Sequence, residues 1–189
     1  MISGDSFAAD TAIVNPTAQG WVNLIAKEHA VTNIAQAGIS EYKILKQIQS
    51  VNLYNFDQII IVHTSPYRVH IKEHPIHLNS PLHKNCDLLY TDLVNAHSKN
   101  AIVDTGIKYF KYIFDEVYYN DLHTLMVDEI RSITSKCKVL HVTFFEDQHY
   151  AFLNLSNIWK QHPGDTNHLN NAGNQLVFNR ITQWINQHS

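Results

Sequence analysis

Gln58-Ile59-Ile60-Ile61-Val62-His63-Thr64 is the stretch on which the fold turns. A strand with one wet face alternates apolar and polar residues, whereas this run is apolar at both parities. That is the signature of a strand buried on both faces of a parallel sheet. Upstream, Ile44, Leu45, Ile48 and Val51 recur at helical spacing behind Ser40, which is placed to cap them. Before that, Val31 to Ala35 reads as a strand ended by Gly38. Trp21, Leu24 and Ile25 share the face of a helix that Thr17 can cap, and Met1-Ile2-Ser3 is a very short strand running into Gly4-Asp5-Ser6.

Downstream, Pro66, Pro75 and Pro81 interrupt any period until about Asn100, so a long excursion leaves the sheet over 66–100. Helix returns with Phe110, Ile113, Phe114 and Val117 on one stripe. It resumes with Leu122, Leu125, Met126, Ile130 and Ile133 after a break at Tyr119-Asn120-Asp121. Lys138 to Phe145 is the next strand, and Tyr150 to Leu155 is ambiguous. A closing helix starts at Asn171 with Val177, Ile181, Trp184 and Ile185 inward. Alternating strands and helices predict an α/β fold, a parallel sheet with helices on both faces whose ligands bind beyond the carboxyl ends of the strands.

The chain has 189 residues and 44% hydrophobic content, which suits one domain. Net charge is -3 with 16% charged residues, so no basic footprint for nucleic acid is present. The longest apolar run falls far short of the roughly 20 residues that cross a bilayer. With no leader-like segment at its start, the chain reads as cytoplasmic. Cys86 and Cys137 are expected to be reduced thiols.

Three segments reach the expected carboxyl edge: Gly4-Asp5-Ser6-Phe7, Ala37-Gly38-Ile39-Ser40 and His63-Thr64-Ser65-Pro66. Asp165-Thr166-Asn167-His168 stands before the last helix, behind a turn at Pro163-Gly164. A serine hydroxyl attacks only when a base removes its proton, and the base works best when an acid orients it. Ser6, His168 and Asp165 have the chemistry for those roles, and the backbone N–H groups of Ser6 and Gly38 can hold an oxyanion if their loops turn inward. Asp5 is read as structural, bonding amides of its own loop.

Gly4-Asp5-Ser6, Gly38 and Asp165-Thr166-Asn167-His168, in that order, resemble three of the four blocks of the SGNH (GDSL-type) esterase and lipase superfamily. The resemblance implies a three-layer α/β/α, flavodoxin-like sandwich with no cofactor. It implies Ser6 as nucleophile, His168 as base, Asp165 as acid, and Ser6 and Gly38 as oxyanion donors. The third block departs from the family's Gly-x-Asn-Asp pattern: Ser65 stands where its asparagine falls, so Ser65 or Thr64 is the substitute donor. The implied substrate is a small ester, such as an O-acyl group on a carbohydrate. Acyl transfer would use the same residues, and the rivals are a non-catalytic module and a flavin or nucleotide binder.

Tyr67 and Arg68, just after the third strand, are candidates for substrate contact, with Arg68 suited to an anionic group. The 66–100 excursion is a candidate lid. Its His70, His74, His77 and His83 are read as lining a polar loop and not as metal ligands, because Pro75 breaks the helical spacing that a zinc pair would need. His63 and His141 fall on buried-strand patterns and are read as satisfied core histidines. Phe110, Phe114, Tyr118 and Tyr119 are read as core.

Overall fold

Ile59–His63 is β2, buried at every position and flanked by parallel neighbours on both sides. The computed structural model describes residues 1–10, 19–77, 79–97, 100–146, 153–164 and 168–189. On one side of β2 lies β1 (Ile2–Gly4), with Ile2 opposite Ile60 and Gly4 opposite Val62. On the other lies β3 (Val139–Thr143), followed by the two-residue β4 (Leu153–Asn154). All four strands are parallel, in the order β1-β2-β3-β4. The expected strand at Val31 to Ala35 is a single bridge, Asn33 to Ile2. Three backbone bonds, from Ile2 N to Thr32 O, from Ile34 N to Ile2 O and from Gln36 N to Gly4 O, lay it along the free edge of β1.

The even apolar run of β2 is split between two cores. Ile60 and Val62 join Leu140 and Val142 in a cluster with α1 (Trp21–Ile25) and α7 (Asn171–Gln187), through Trp21, Val22, Ile25, Val177, Ile181 and Ile185. Ile59 and Ile61 point the other way, onto Ile44, Leu45 and Ile48 of α2 (Glu41–Gln49) and Ile130 of α5 (Glu116–Thr134). Helices therefore cover both faces, the reason no position of β2 needs a polar residue.

The excursion after β2 is more ordered than its prolines suggest. Val69 and Leu88 form an antiparallel bridge, and α3 (Tyr90–Val94) packs on α4 (Ala101–Tyr112) through Leu93, Val103 and Leu88. After α6 (Ser156–Gln161), the turn at Pro163-Gly164 is closed by the Pro163 to Leu169 bridge.

Five helical expectations need correction. The break falls at Asp115, not at 119–121: the Asp115 carboxylate accepts from Val117 N and Tyr118 N, so the cap opens α5 there. Ile113, at the C-cap of α4, is 69% exposed, and Val117 and Leu125 are 70% and 67% exposed because the buried stripe of α5 runs through His123, Val127 and Ile130. Tyr118 is exposed as well, and the stacked Phe114 and Tyr119 are half-buried beside it. Ser40 occupies the N-cap of α2, yet its hydroxyl does not cap, and Val51 lies beyond that helix. Thr17 and Tyr150 lie outside the described residues. Cys86 and Cys137 are free thiols, and among the described residues no helix is long and apolar enough to cross a membrane.

Gly4, at the carboxyl end of β1, has φ +147°, and a Cβ there would lie 2.5 Å from Val62 O. Both the backbone angle and the space exclude a side chain. Gly4→Ala is expected to cost about 2 kcal/mol or more of stability, read as a lowered denaturation midpoint; an unchanged midpoint would contradict this register of β1 on β2.

Candidate functional site

The chain turns sharply where β1 ends. The Asp5 carboxylate accepts from Phe7 N at 3.0 Å and Asp5 O accepts from Ala8 N at 3.1 Å, a self-bonded turn that leaves Ser6 half-buried at its apex. Asp5 itself is 1% exposed. Burial pushes its carboxyl up to about 6, against the opposing charge of Arg68, the Phe7 N–H and a hydrogen bond from the Thr64 side chain. Asp5 is thus structural, as expected.

Phe7 turns inward and gathers the carboxyl edge around its ring. It stacks on Phe144, just past β3, at 4.2 Å and meets Trp159 edge-on at 5.2 Å. The His168 ring lies 5.3 Å from it. Its carbonyl accepts from Trp21 Nε1. The first and last candidate segments therefore meet: the residue next to Ser6 touches the imidazole of His168. Asp165, with Thr166 and Asn167, lies outside the described residues. No hydrogen bond joins Ser6 Oγ to His168 among the described residues.

The second segment is held open by glycine. Gly38 has φ +73°, and a Cβ there would meet the Cys86 side chain at 2.7 Å. Its carbonyl accepts from Asp87 N at 2.9 Å and from the Arg68 guanidinium at 3.1 Å. The N–H groups of Ser6 and Gly38 are not engaged by hydrogen bonds among the described residues. Both are the donors that the oxyanion expectation names.

The third segment is fastened from beneath by Glu41, which is fully buried at the start of α2. One Glu41 oxygen lies 2.7 Å from His63 Nδ1; the other accepts from Thr64 N at 3.2 Å and lies 3.3 Å from His123 Nε2. His123 Nε2 also reaches Thr64 O at 2.9 Å, and His63 Nε2 is 2.9 Å from His141 Nδ1. The two strand histidines are satisfied core residues, as read from their positions. Burial alone would raise the Glu41 carboxyl, but the charges of His63 and His123 and their hydrogen bonds hold it at about 2. Burial, with His63 close by, pulls His141 down to about 3.

Thr64, fastened this way, is wholly buried and turned toward Asp5, whereas Ser65 is half-exposed. The Ser65 hydroxyl accepts from Tyr67 N at 3.3 Å and keeps its own proton to donate. Arg68 ties the third segment to the second through Gly38 O, and its Nε is buried without a partner. Ser65 and Arg68 line a cavity of about 240 Å³ with Tyr42, His70, Tyr119 and Leu122. Tyr67, 42% exposed, is not among its lining residues, and neither are Ser6 and His168. A larger cavity, about 490 Å³, opens at the far end of β3 beside Trp184 and Arg180.

No protein-family model, curated protein or solved structure matches the chain.

Two residues central to this arrangement carry no local sequence signal. Asp87 is fully buried and accepts from Ser40 N at 2.7 Å and Ile71 N at 2.9 Å, with Lys43 at 2.8 Å and His70 at 3.2 Å. Glu41 looks like an ordinary first-turn acid of a helix; only the tertiary fold turns it inward.

Asp5 and Glu41 predict opposite pH behaviour. The raised Asp5 contributes stability that is complete below the usual carboxylate range of about 4 and is lost as pH rises through about 6. Asp5→Asn is expected to shrink the difference in unfolding midpoint between about pH 4 and pH 7. Glu41 contributes stability present above the ordinary range and lost as pH falls toward about 2. Glu41→Ala is expected to cost about 3 kcal/mol or more by stranding His63 and the Thr64 amide, while Glu28→Ala, on an exposed position, leaves the midpoint unchanged.

Proposed function

We propose that the chain is a serine esterase of SGNH type acting on a small ester, of which an O-acyl group on a carbohydrate is the leading example. The observation that carries this reading is the ring contact between Phe7 and His168, which brings the segment bearing Ser6 to the segment bearing the base. The unengaged N–H groups of Ser6 and Gly38 support it. So does the order of the sheet once the Asn33 edge segment is counted: second, first, third, fourth, fifth along the chain, the order of flavodoxin-type sheets.

In this reading Ser6 Oγ attacks the acyl carbonyl while His168 takes its proton, and Asp165 orients His168. The carbonyl oxygen becomes an oxyanion held by the N–H groups of Ser6 and Gly38. Ser65 is the third donor in preference to Thr64, because Thr64 is wholly buried and Ser65 is half-exposed. His168 returns the proton to the leaving alcohol. Water, deprotonated in turn by His168, then attacks the acyl-serine and frees the acid. Arg68, on the wall of the neighbouring cavity, contacts an anionic part of the substrate; Tyr67 flanks its approach. With an alcohol in place of water the same steps give acyl transfer.

Labelling by a fluorophosphonate probe tests the proposal. Wild-type protein is expected to label, and Ser6→Ala to abolish both labelling and hydrolysis of a p-nitrophenyl ester. His168→Ala should cost about 1000-fold or more in kcat, and Ser65→Ala on the order of 100-fold. A folded wild-type chain that neither labels nor hydrolyses any of a panel of short acyl esters would overturn it.

A further inference from the structure

We propose that His74, His77 and Cys86 form a zinc-binding site that staples the excursion after β2 to the Gly38 loop. One ligand atom from each of the three lies within 4.8 Å of the others, with His74 and Cys86 buried and His77 half-buried. Ligands of a tetrahedral zinc ion stand about 3.3 to 3.8 Å apart, so a closure of about 1 Å, within a rotamer adjustment of His77, completes the set. The donor set, two imidazoles and one thiol, is one that zinc favours over the hard cations. The Pro75 break, which removes helical spacing between His74 and His77, does not matter here, because the third ligand comes from a segment nine residues beyond His77.

A second observation points to a ligand. His74 is 0% exposed, and its Nε2 has no hydrogen-bond partner, while its Nδ1 accepts from Ile76 N at 3.2 Å. A buried imidazole N–H left without an acceptor is costly. The ring of His77 stacks on it at 4.8 Å, and that of His83 follows at 5.4 Å from His77. His83 is occupied by the Ser80 hydroxyl at 3.3 Å, so the ligand set is confined to His74, His77 and Cys86.

Binding balances as follows. Cys86 releases its thiol proton to solvent and binds as thiolate. His74 binds through Nε2 and moves its ring proton to Nδ1, so the Ile76 N–H contact opens. His77 supplies the third bond, and the fourth position is left to water on the half-buried side. The staple reaches the candidate site because Cys86 packs against Gly38 and its neighbour Asp87 donates to Gly38 O. None of this depends on Ser6 being a nucleophile.

Titration of the purified full chain with Co(II), then Zn(II), tests the site. The expected result is one Co(II) per chain with a thiolate-to-cobalt charge-transfer band that Zn(II) abolishes, together with a shift of the Ile76 amide resonance. Zn(II) should also raise the melting temperature. Cys86→Ala and Cys86→Ser should both lose the band, each checked for fold by circular dichroism, and His74→Ala should weaken binding about 100-fold. His188→Ala, at the far end of α7, should change nothing. Absence of the band in wild-type protein, its persistence in a folded Cys86 variant, or its loss in His188→Ala would overturn the proposal; since the readout is not esterase activity, its failure is distinct from failure of the esterase reading.

Discussion

Glu41 places a carboxylate where no water reaches it, and the geometry of the carboxyl edge depends on how that charge is answered. Two imidazoles and one backbone amide converge on its two oxygens. A buried charge with such partners tolerates little displacement, because losing any one leaves the others desolvated and unpaired. His63 ends β2, Thr64 begins the loop beyond it, His123 belongs to α5, and Glu41 itself starts α2. Four pieces of chain are thereby fixed to one group, and the exit direction of the loop carrying Ser65 and Arg68 follows from it.

Asp87 performs the same service one step outward. Its oxygens collect the Ser40 and Ile71 amides, Lys43 and His70, and its own amide reaches Gly38 O. The loops around the site contain little regular structure, so their backbone groups lack the partners a helix or sheet would provide. Buried carboxylates supply those partners instead. Arg68 completes the lattice by joining Gly38 O while lying close enough to Asp5 to oppose the effect of burial on it. Under the esterase proposal this rigidity is what keeps the Ser6 and Gly38 amides aimed without reorganisation.

Phe7 shows how an apolar contact complements that polar lattice. Its ring is held by Phe144, Trp159 and His168, from three segments distant in sequence. Read in the sequence, Phe7 is merely the residue that follows the candidate serine. In the fold it joins the beginning of the chain to its end. Under the zinc proposal the histidine row of the excursion carries a similar lesson: the spacing around Pro75 says nothing of Cys86, which comes from another turn of the same excursion.

The amino-acid sequence by itself determined the α/β class, the parallel β1, β2 and β3, α2 and α7, and the loops bearing Ser6, Gly38 and Ser65, because apolar periodicity and turn chemistry are local properties that survive whatever the chain packs against. It misplaced the boundary at Asp115 and overestimated burial at Ile113, Val117 and Leu125, since which stripe of a helix faces inward depends on the neighbour it meets. The inward turn of Glu41 and Asp87, the fastening of the Thr64 amide to Glu41 and the meeting of Phe7 with His168 were decided only by the tertiary structure. Each of these joins residues far apart along the chain, and the free energy that selects them, desolvation balanced against pairing, exists only once the core has closed around them.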